Sequence, residues 1–248
     1  MRLRTRLSSM AGSSEKLEVL IGAEGIQKLA DATVLLFGLG GVGSSCAQTL
    51  ARAGVGHLII VDHDVVSESN INRQVIAFHS TIGKRKVDVT EAMIHDINPD
   101  IEVTALCEFM LPENLETFFE GRQIDYVIDA IDTVTAKLAL AEYAYAHDVR
   151  LVSSMGAANK MQPECLSFAD IAKTVNCPLC KVIRKECRLR GIKHLRVLYS
   201  NEVPQKIESV PGAPRSARSN LGTISYMPAI MGMMLASDVV RSILAQQD

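Results

Sequence analysis

The sequence has no tryptophan, and only five tyrosines and six phenylalanines in 248 residues. That is too few for a surface designed to stack bases along a single strand. Charge of one sign is also missing: the formal net charge is −2, so no global field marks a nucleic-acid binder. The six cysteines (46, 107, 165, 177, 180 and 187) are scattered, which argues against a disulfide scaffold and suits a reducing, cytoplasmic compartment. The basic, then small and polar start lacks the apolar run of a secretory signal, and residues 1–16 read as a flexible extension. Repeats and low-complexity segments are absent. One stretch, residues 224–244, approaches the apolar content of a membrane span. Ser225, Pro228, Ser237, Asp238 and Arg241 interrupt it. The spacing of Met227, Ile230, Met231, Met234, Val239 and Leu244 predicts a helix on the sheet or in a dimer interface, with no stable membrane insertion.

What is present is ordinary globular composition, 48% hydrophobic with 16 Gly and 8 Pro. β-Rich runs at residues 33–37, 58–61, 101–106, 126–131 and 151–153 alternate with helical patterns up to Leu50, over 84–97 and over 137–147. This alternation predicts an α/β fold with a doubly wound, mainly parallel sheet. Beyond about residue 155 the pattern weakens. A single domain is expected over 17–248, with a nucleotide-binding half at 17–155. The half at 156–248 would complete the sheet, face the substrate and end in the C-terminal helix.

Gly38-Leu39-Gly40-Gly41-Val42-Gly43 follows a strand and opens a helix. The first glycine permits a tight turn, the second lets backbone approach phosphate, and the third allows close helix–strand packing. The helix N-terminus then offers free N–H groups to an anion. Asp62 stands about twenty residues on, at the end of the second strand, where an acid can bind ribose hydroxyls. The pattern is Rossmann-like and points to an adenine nucleotide, without choosing between NAD and ATP. The plainer alternative is a glycine turn that only packs.

Asn70-Ile71-Asn72-Arg73-Gln74, then Lys84, Arg85 and Lys86, bear on that choice. A triphosphate attacked at its α-phosphorus needs cations for the charge that develops, whereas hydride transfer has no use for them. Asp129 and Asp132 end a strand on the same carboxyl edge, where a carboxylate can hold Mg²⁺ across the phosphates. Taken singly, Arg73 could be a surface ion pair and Lys86 an exposed helix position.

Together, Gly38, Gly40, Gly41, Gly43, Asp62, Asn72, Arg73, Gln74, Lys86 and Asp132 resemble the adenylating core of ThiF/MoeB/HesA proteins, relatives of ubiquitin-activating enzymes. The resemblance runs from about residue 17 to residue 244. It implies that a carboxylate attacks the α-phosphate of ATP, giving an acyl-adenylate and pyrophosphate. It further implies that Asp62 holds the ribose, that Asn72, Arg73 and Lys86 handle the phosphates, that Gln74 lines the nucleotide site, and that Asp132 binds Mg²⁺. A homodimer is implied, with Lys16 standing where the family has an arginine that reaches into the neighbouring site. Lysine keeps the charge and loses the planar fork.

The series Ser154-Met155-Gly156, Asn159-Lys160, Asp170, Lys173-Thr174, Cys177-Pro178-Leu179, Arg184-Lys185-Glu186 and Arg190-Gly191-Ile192 is similar to one branch of that family. Members of that branch use ATP to dehydrate threonylcarbamoyladenosine in tRNA to its cyclic form, which makes the modified tRNA the implied substrate. Ser154, Asn159 and Lys160 are candidates to border the adenylate. The charge map agrees. Residues 181–218 carry ten Lys/Arg against three acids, a local +7 that leaves the rest at −9, as a polyanionic partner would require; the plainer alternative is a solvated helix followed by a charged loop. A mobile basic loop around Pro211, Pro214, Arg215 and Arg218 would lie beside that substrate. Two other readings stay open: an activator of a sulfur-carrier or ubiquitin-like protein ending in Gly-Gly, and an NAD-binding oxidoreductase or sensor. A sulfurtransferase partner is also left open.

Cys177-x-x-Cys180 could be half a zinc site, but no second pair follows and Cys187 stands alone. Cys177 or Cys187 could capture an acyl group as a thioester, since thiolates are strong nucleophiles. The third reading is a small, partly buried side chain.

Overall fold

In the computed structural model, which describes residues 14–203 and 221–245, the inner strands bury nearly every residue. They are β1 (Thr33–Phe37), β2 (His57–Val61), β4 (Tyr126–Asp129) and β5 (Leu151–Ser154). Such continuous apolar runs belong to parallel sheets covered on both faces. With β3 (Glu102–Leu106), β6 (Leu166–Asp170) and β7 (Arg196–Ser200) they form one seven-stranded sheet in the order β3-β2-β1-β4-β5-β7-β6. All pairings are parallel except β6 on β7. The chain winds outward from β1 through β2 to β3, then returns to place β4 on the other side of β1. The carboxyl ends of β1 and β4 therefore flank the point where strand order reverses. Crevices for ligands open there in such sheets.

Alternate side chains of each strand feed two cores. Leu36, Leu58, Ile60 and Ile128 pack under α2 (Gly41–Ala53) and α6 (Tyr226–Leu244). Leu35, Phe37, Ile59 and Val127 pack under α4 (Val134–Ala146) and α5 (Pro178–Leu189). Two further helices, α1 (Glu15–Asp31) and α3 (Lys86–Ile97), complete the layers.

By length and composition α6 is apolar enough to cross a membrane, but half of it is buried inside the protein. Met227, Met231, Leu235, Val239 and Ile243 face the core, so the sheet-packing half of the sequence expectation holds. Its polar interruption has a partner: buried Asp238 takes two bonds, at 2.8 and 2.6 Å, from Arg196 of β7. The guanidinium also lies 4.9 Å over the Phe168 ring.

The predicted strands and helices are present, with ends shifted by a few residues. The strand expected to reach residue 131 stops at Asp129, whose own carboxylate turns back to accept the Ile131 N–H at 3.0 Å. Past residue 155 the sequence reading expects the sheet to be completed without placing β6 or β7, while α5 overlaps the solvated helix that was one reading of the basic segment. β6 and β7 pair antiparallel at one end of the sheet, outside the strand–helix alternation that marks the parallel strands, and α5 keeps Cys180, Ile183 and Cys187 buried under a charged face. The basic loop expected around Arg215 and Arg218, and the extension before residue 14, lie outside the described residues.

Gly232 of α6 sits against α2 so closely that a β-carbon there would stand 2.2 Å from the Val42 carbonyl oxygen. Gly232→Ala must push the two helices apart, and a loss of about 1–3 kcal/mol is expected. Urea denaturation should show a lower midpoint with an unchanged slope.

Candidate active site

A cavity of about 750 Å³ opens at the carboxyl ends of β1 and β4, within the size range of small-ligand sites. Its floor is the glycine loop. Gly38 adopts φ +87°, and a β-carbon there would meet the Ala130 carbonyl at 2.7 Å. Gly40 caps α2, so the first N–H groups of that helix have no intrahelical acceptor. They make an anion site. Gly43 does not line the cavity; a β-carbon there would be 1.7 Å from the Gly38 carbonyl oxygen. It serves the close packing that shapes the turn.

Asp62 grips this loop from the end of β2. Its carboxylate accepts the Leu39 N–H at 2.6 Å and the Asp64 N–H at 2.8 Å. Each carboxylate oxygen retains capacity for a further donor. Asp64 in turn holds the Lys86 ammonium at 2.7 Å, with Asp62 at 3.9 Å. Lys86 is 5% exposed, so it is not the solvated helix residue that was the plainer reading. Its neighbour Arg85 pairs with Asp88 at 2.7 Å, and neither Arg85 nor Lys84 lines the cavity.

Arg73 lines the cavity, braced by the Ser69 carbonyl at 2.9 Å and the Asn72 side chain at 2.8 Å. Asn72 itself is outside the lining and donates its amide to the Thr223 carbonyl at 3.1 Å. Of the two asparagines in this stretch Asn70 lines the cavity, and its side-chain oxygen accepts the Ser67 N–H at 3.0 Å; no role was expected for it from the sequence. Its spacing of three before Arg73 puts both on the inner side of one short helical turn. Gln74 is 6% exposed and its side-chain oxygen has no donor. A buried, unsatisfied acceptor is costly, and this one borders the cavity, where a ligand hydroxyl or amino group would satisfy it.

The two acids of β4 and its loop separate sharply. Asp132 is exposed on the cavity wall, and the polar group near its carboxylate is the Thr133 hydroxyl at 3.4 Å. Asp129 is 1% exposed and accepts from Lys137 Nζ at 2.9 Å and from the Ser153 hydroxyl. Lys137 also donates to the Ser154 carbonyl at 2.6 Å. The expected acidic cluster is therefore not one: Asp129 is the buried counter-ion of Lys137, joining β4, β5 and α4, and it faces no ligand.

The far wall comes from residues 154–160. Ser154, Asn159 and Lys160 all line the cavity, as expected. Asn159, at φ +57°, clasps Gly222 through its N–H and side-chain oxygen. Lys160 is buried and donates to the Glu202 carbonyl. At the rim His63 meets Phe109 edge-on, ring centroids 4.3 Å apart. Lys16 is exposed on α1 and does not line the cavity. Cys177 and Cys180 touch at the start of α5, and Cys177 lines the cavity. Cys187 is buried elsewhere on that helix. The arrangement suits a polyphosphate: free helix amides, Arg73 and Lys86 with them, and one carboxylate open to a metal.

The ThiF family model matches residues 14–248. The chain is 41% identical to the tRNA threonylcarbamoyladenosine dehydratase of Bacillus subtilis over 236 residues, 92% of each protein. A crystal structure of E. coli tRNA N6-threonylcarbamoyladenosine dehydratase in complex with ATP matches with a TM-score of 0.82 and 30% identity. That match covers 98% of this chain and 95% of that one. The E. coli molybdopterin-synthase adenylyltransferase is 36% identical over 145 residues, which is 58% of this chain and 57% of that protein.

The separation of the two acids has a direct test. Asp129→Asn leaves Lys137 buried and unpaired, and should cost about 3–5 kcal/mol in thermal or urea unfolding. Asp132→Ala removes an exposed group and should change stability by less than about 0.5 kcal/mol. It should weaken binding of Mg·ATP in calorimetry, which Asp129→Asn, if folded, should not.

Proposed function

This chain belongs to the ThiF family, and on that premise we propose that it is an ATP-dependent dehydratase that converts threonylcarbamoyladenosine in tRNA to its cyclic form. The observation that carries this reading is the convergence of Arg73, the buried Lys86 and Asp132 on the cavity above the glycine loop. A dinucleotide's pyrophosphate needs only the helix amides. Two further cations suit a triphosphate that must release pyrophosphate.

The substrate carboxylate attacks the α-phosphorus of ATP, an acyl-adenylate forms, and pyrophosphate leaves. A group of the same modified nucleoside then attacks the activated carbonyl and expels AMP, so the substrate loses one water overall. Gly38, Gly40 and Gly41 bring backbone N–H groups to the phosphates, while Gly43 keeps the turn tight. Arg73 and Lys86 offset charge on the bridging and leaving oxygens, with Asn70 beside them and Asn72 bracing Arg73. Asp62 and Gln74 offer acceptors to ribose or base donors. Asp132 fits Mg²⁺, a hard cation that takes one or two carboxylates beside phosphates and water. Bound there, the ion would neutralise polyphosphate charge.

The exposed face of α5 supports tRNA docking. Lys181, Lys185 and Arg188 are exposed there, and Lys193 is exposed just beyond the helix; Cys180, Ile183 and Cys187 are buried. Not every basic residue of the segment is available: Arg184 is tied to Thr174, Arg190 to Glu142 and Arg196 to Asp238. A homodimer belongs to the same proposal. Val19 and Leu20 of α1 are 88% and 81% exposed. They share a helical face with Lys16, which a partner's cavity would receive. In this proposal residues 17–155 bind nucleotide, residues 156–248 meet the tRNA, and the enzyme works in the cytoplasm.

The test is to incubate the protein with Mg·ATP and tRNA bearing threonylcarbamoyladenosine. The nucleoside should lose the mass of one water and AMP should accumulate. Intact ATP and unchanged nucleoside would refute the reading. Pyrophosphate exchange that depends on a small protein ending in Gly-Gly would support the sulfur-carrier alternative, which the adenylyltransferase match over 145 residues favours. A rate that rises with an added sulfurtransferase would assign that partner. Lys86→Ala should lower turnover about 10²–10³-fold. Lys185→Ala with Arg188→Ala should spare ATP binding and reduce the salt slope of tRNA affinity by about 2.

A further inference from the structure

We propose that Cys177 and Cys180 form a thiol–disulfide exchange site in the wall of the nucleotide cavity, with Cys177 attacking, Cys180 resolving, and low-molecular-weight disulfides as the substrate class. This goes beyond adenylation and does not rest on it, because the capture step described above uses a group of the substrate and leaves both thiols idle.

The geometry assigns the two sulfurs different jobs. Cys177 caps α5 and lines the cavity. Cys180 lies one turn along, is 0% exposed, and packs with Ile183 and Cys187 behind the wall. The Cys180 S–H donates to the Cys177 sulfur. A reagent in the cavity therefore meets Cys177 first, with the second sulfur already in contact behind it. Among the described residues the pair belongs to no group of three or more potential metal ligands; the single such cluster is Asp62, His63 and Asp64.

The electrostatics follow the same division. The hydrogen bond from Cys180 lowers the Cys177 thiol to about 6, helped by the backbone N–H groups of Cys180 and Leu179 and by the Lys160 charge, against the opposing effect of burial. A helix N-terminus beside a cation is a known setting for a reactive thiolate. Cys180, beside that sulfur and buried, is pushed far up and stays protonated. Burial pushes Cys187 up to about 11, and Cys46 higher still.

In the first step the Cys177 thiolate attacks a disulfide RSSR, forming Cys177–S–S–R and releasing RS⁻. That step removes the Cys177 charge, so Cys180 can release its proton. The Cys180 thiolate then attacks the Cys177 sulfur and expels the second RS⁻. The protein loses two electrons and two protons, and RSSR becomes two RSH.

The experiment treats the reduced full chain with glutathione disulfide, followed by peptide mapping. The wild-type peptide should lose about 2 Da, the mark of an internal disulfide. Cys180→Ser should instead retain glutathione on Cys177, and Cys177→Ser should leave Cys180 unmodified. Iodoacetamide labelling of Cys177 should rise through pH about 6 and level off by about pH 8. Exposed Cys107 reports that the reagents are active. Glutathione on Cys107 with Cys177 untouched, or Cys177 labelling still climbing at about pH 8, would overturn the proposal.

Discussion

The Asp62 carboxylate accepts the Leu39 N–H of the glycine loop on one oxygen and the Asp64 N–H on the other. The first bond ties the end of β2 to the turn after β1, which sets where the amides of α2 point. The second orients the loop whose Asp64 side chain holds Lys86 beside the cavity. One buried acid thus aligns the backbone donors and a cation on the same space. A charge-assisted bond of this kind in a poorly solvated place is stronger than its exposed equivalent. Lys86 is in turn a buried ammonium that needs its two acids.

A second economy concerns the acids of β4 and the loop after it. Asp129 and Asp132 are three residues apart, yet one is sealed against Lys137 and the other faces solvent in the cavity. Burial with a partner converts the first into a rivet between β4, β5 and α4. Exposure without a cation leaves the second able to meet a metal or a phosphate-bound ion. The chemistry of the residue type is the same; the surroundings decide its job.

The half of the chain after β5 adds an antiparallel edge, a basic helix and a clasp, Asn159 on Gly222, that draws the segment before α6 over the cavity. The same helix that shows Lys181, Lys185 and Arg188 to solvent sends Cys177 into the cavity wall. An exposed basic face and a cysteine of the cavity wall are therefore joined through one element, α5, whose buried stripe anchors it to the sheet.

Much of this was readable locally. Strand runs, helix periodicity and the turn at Gly38 follow from side-chain period and backbone sterics, which act over a few residues. Asp62, Arg73, Lys86 and Asp132 were legible as charged residues at or near the carboxyl edge of the sheet, and Gln74 through the family resemblance alone; all five line the cavity. β6 and β7 were not legible, since they leave the strand–helix alternation and form an antiparallel pair at one end of the sheet. Nor could the sequence choose between near neighbours: Asn70 over Asn72, Lys86 over Arg85, Asp132 over Asp129. Residues one to three positions apart can point in opposite directions. What decides is which of the two borders the cavity: Asn70, Lys86 and Asp132 line it while Asn72, Arg85 and Asp129 turn to Thr223, Asp88 and Lys137, and the cavity exists only once distant segments have packed.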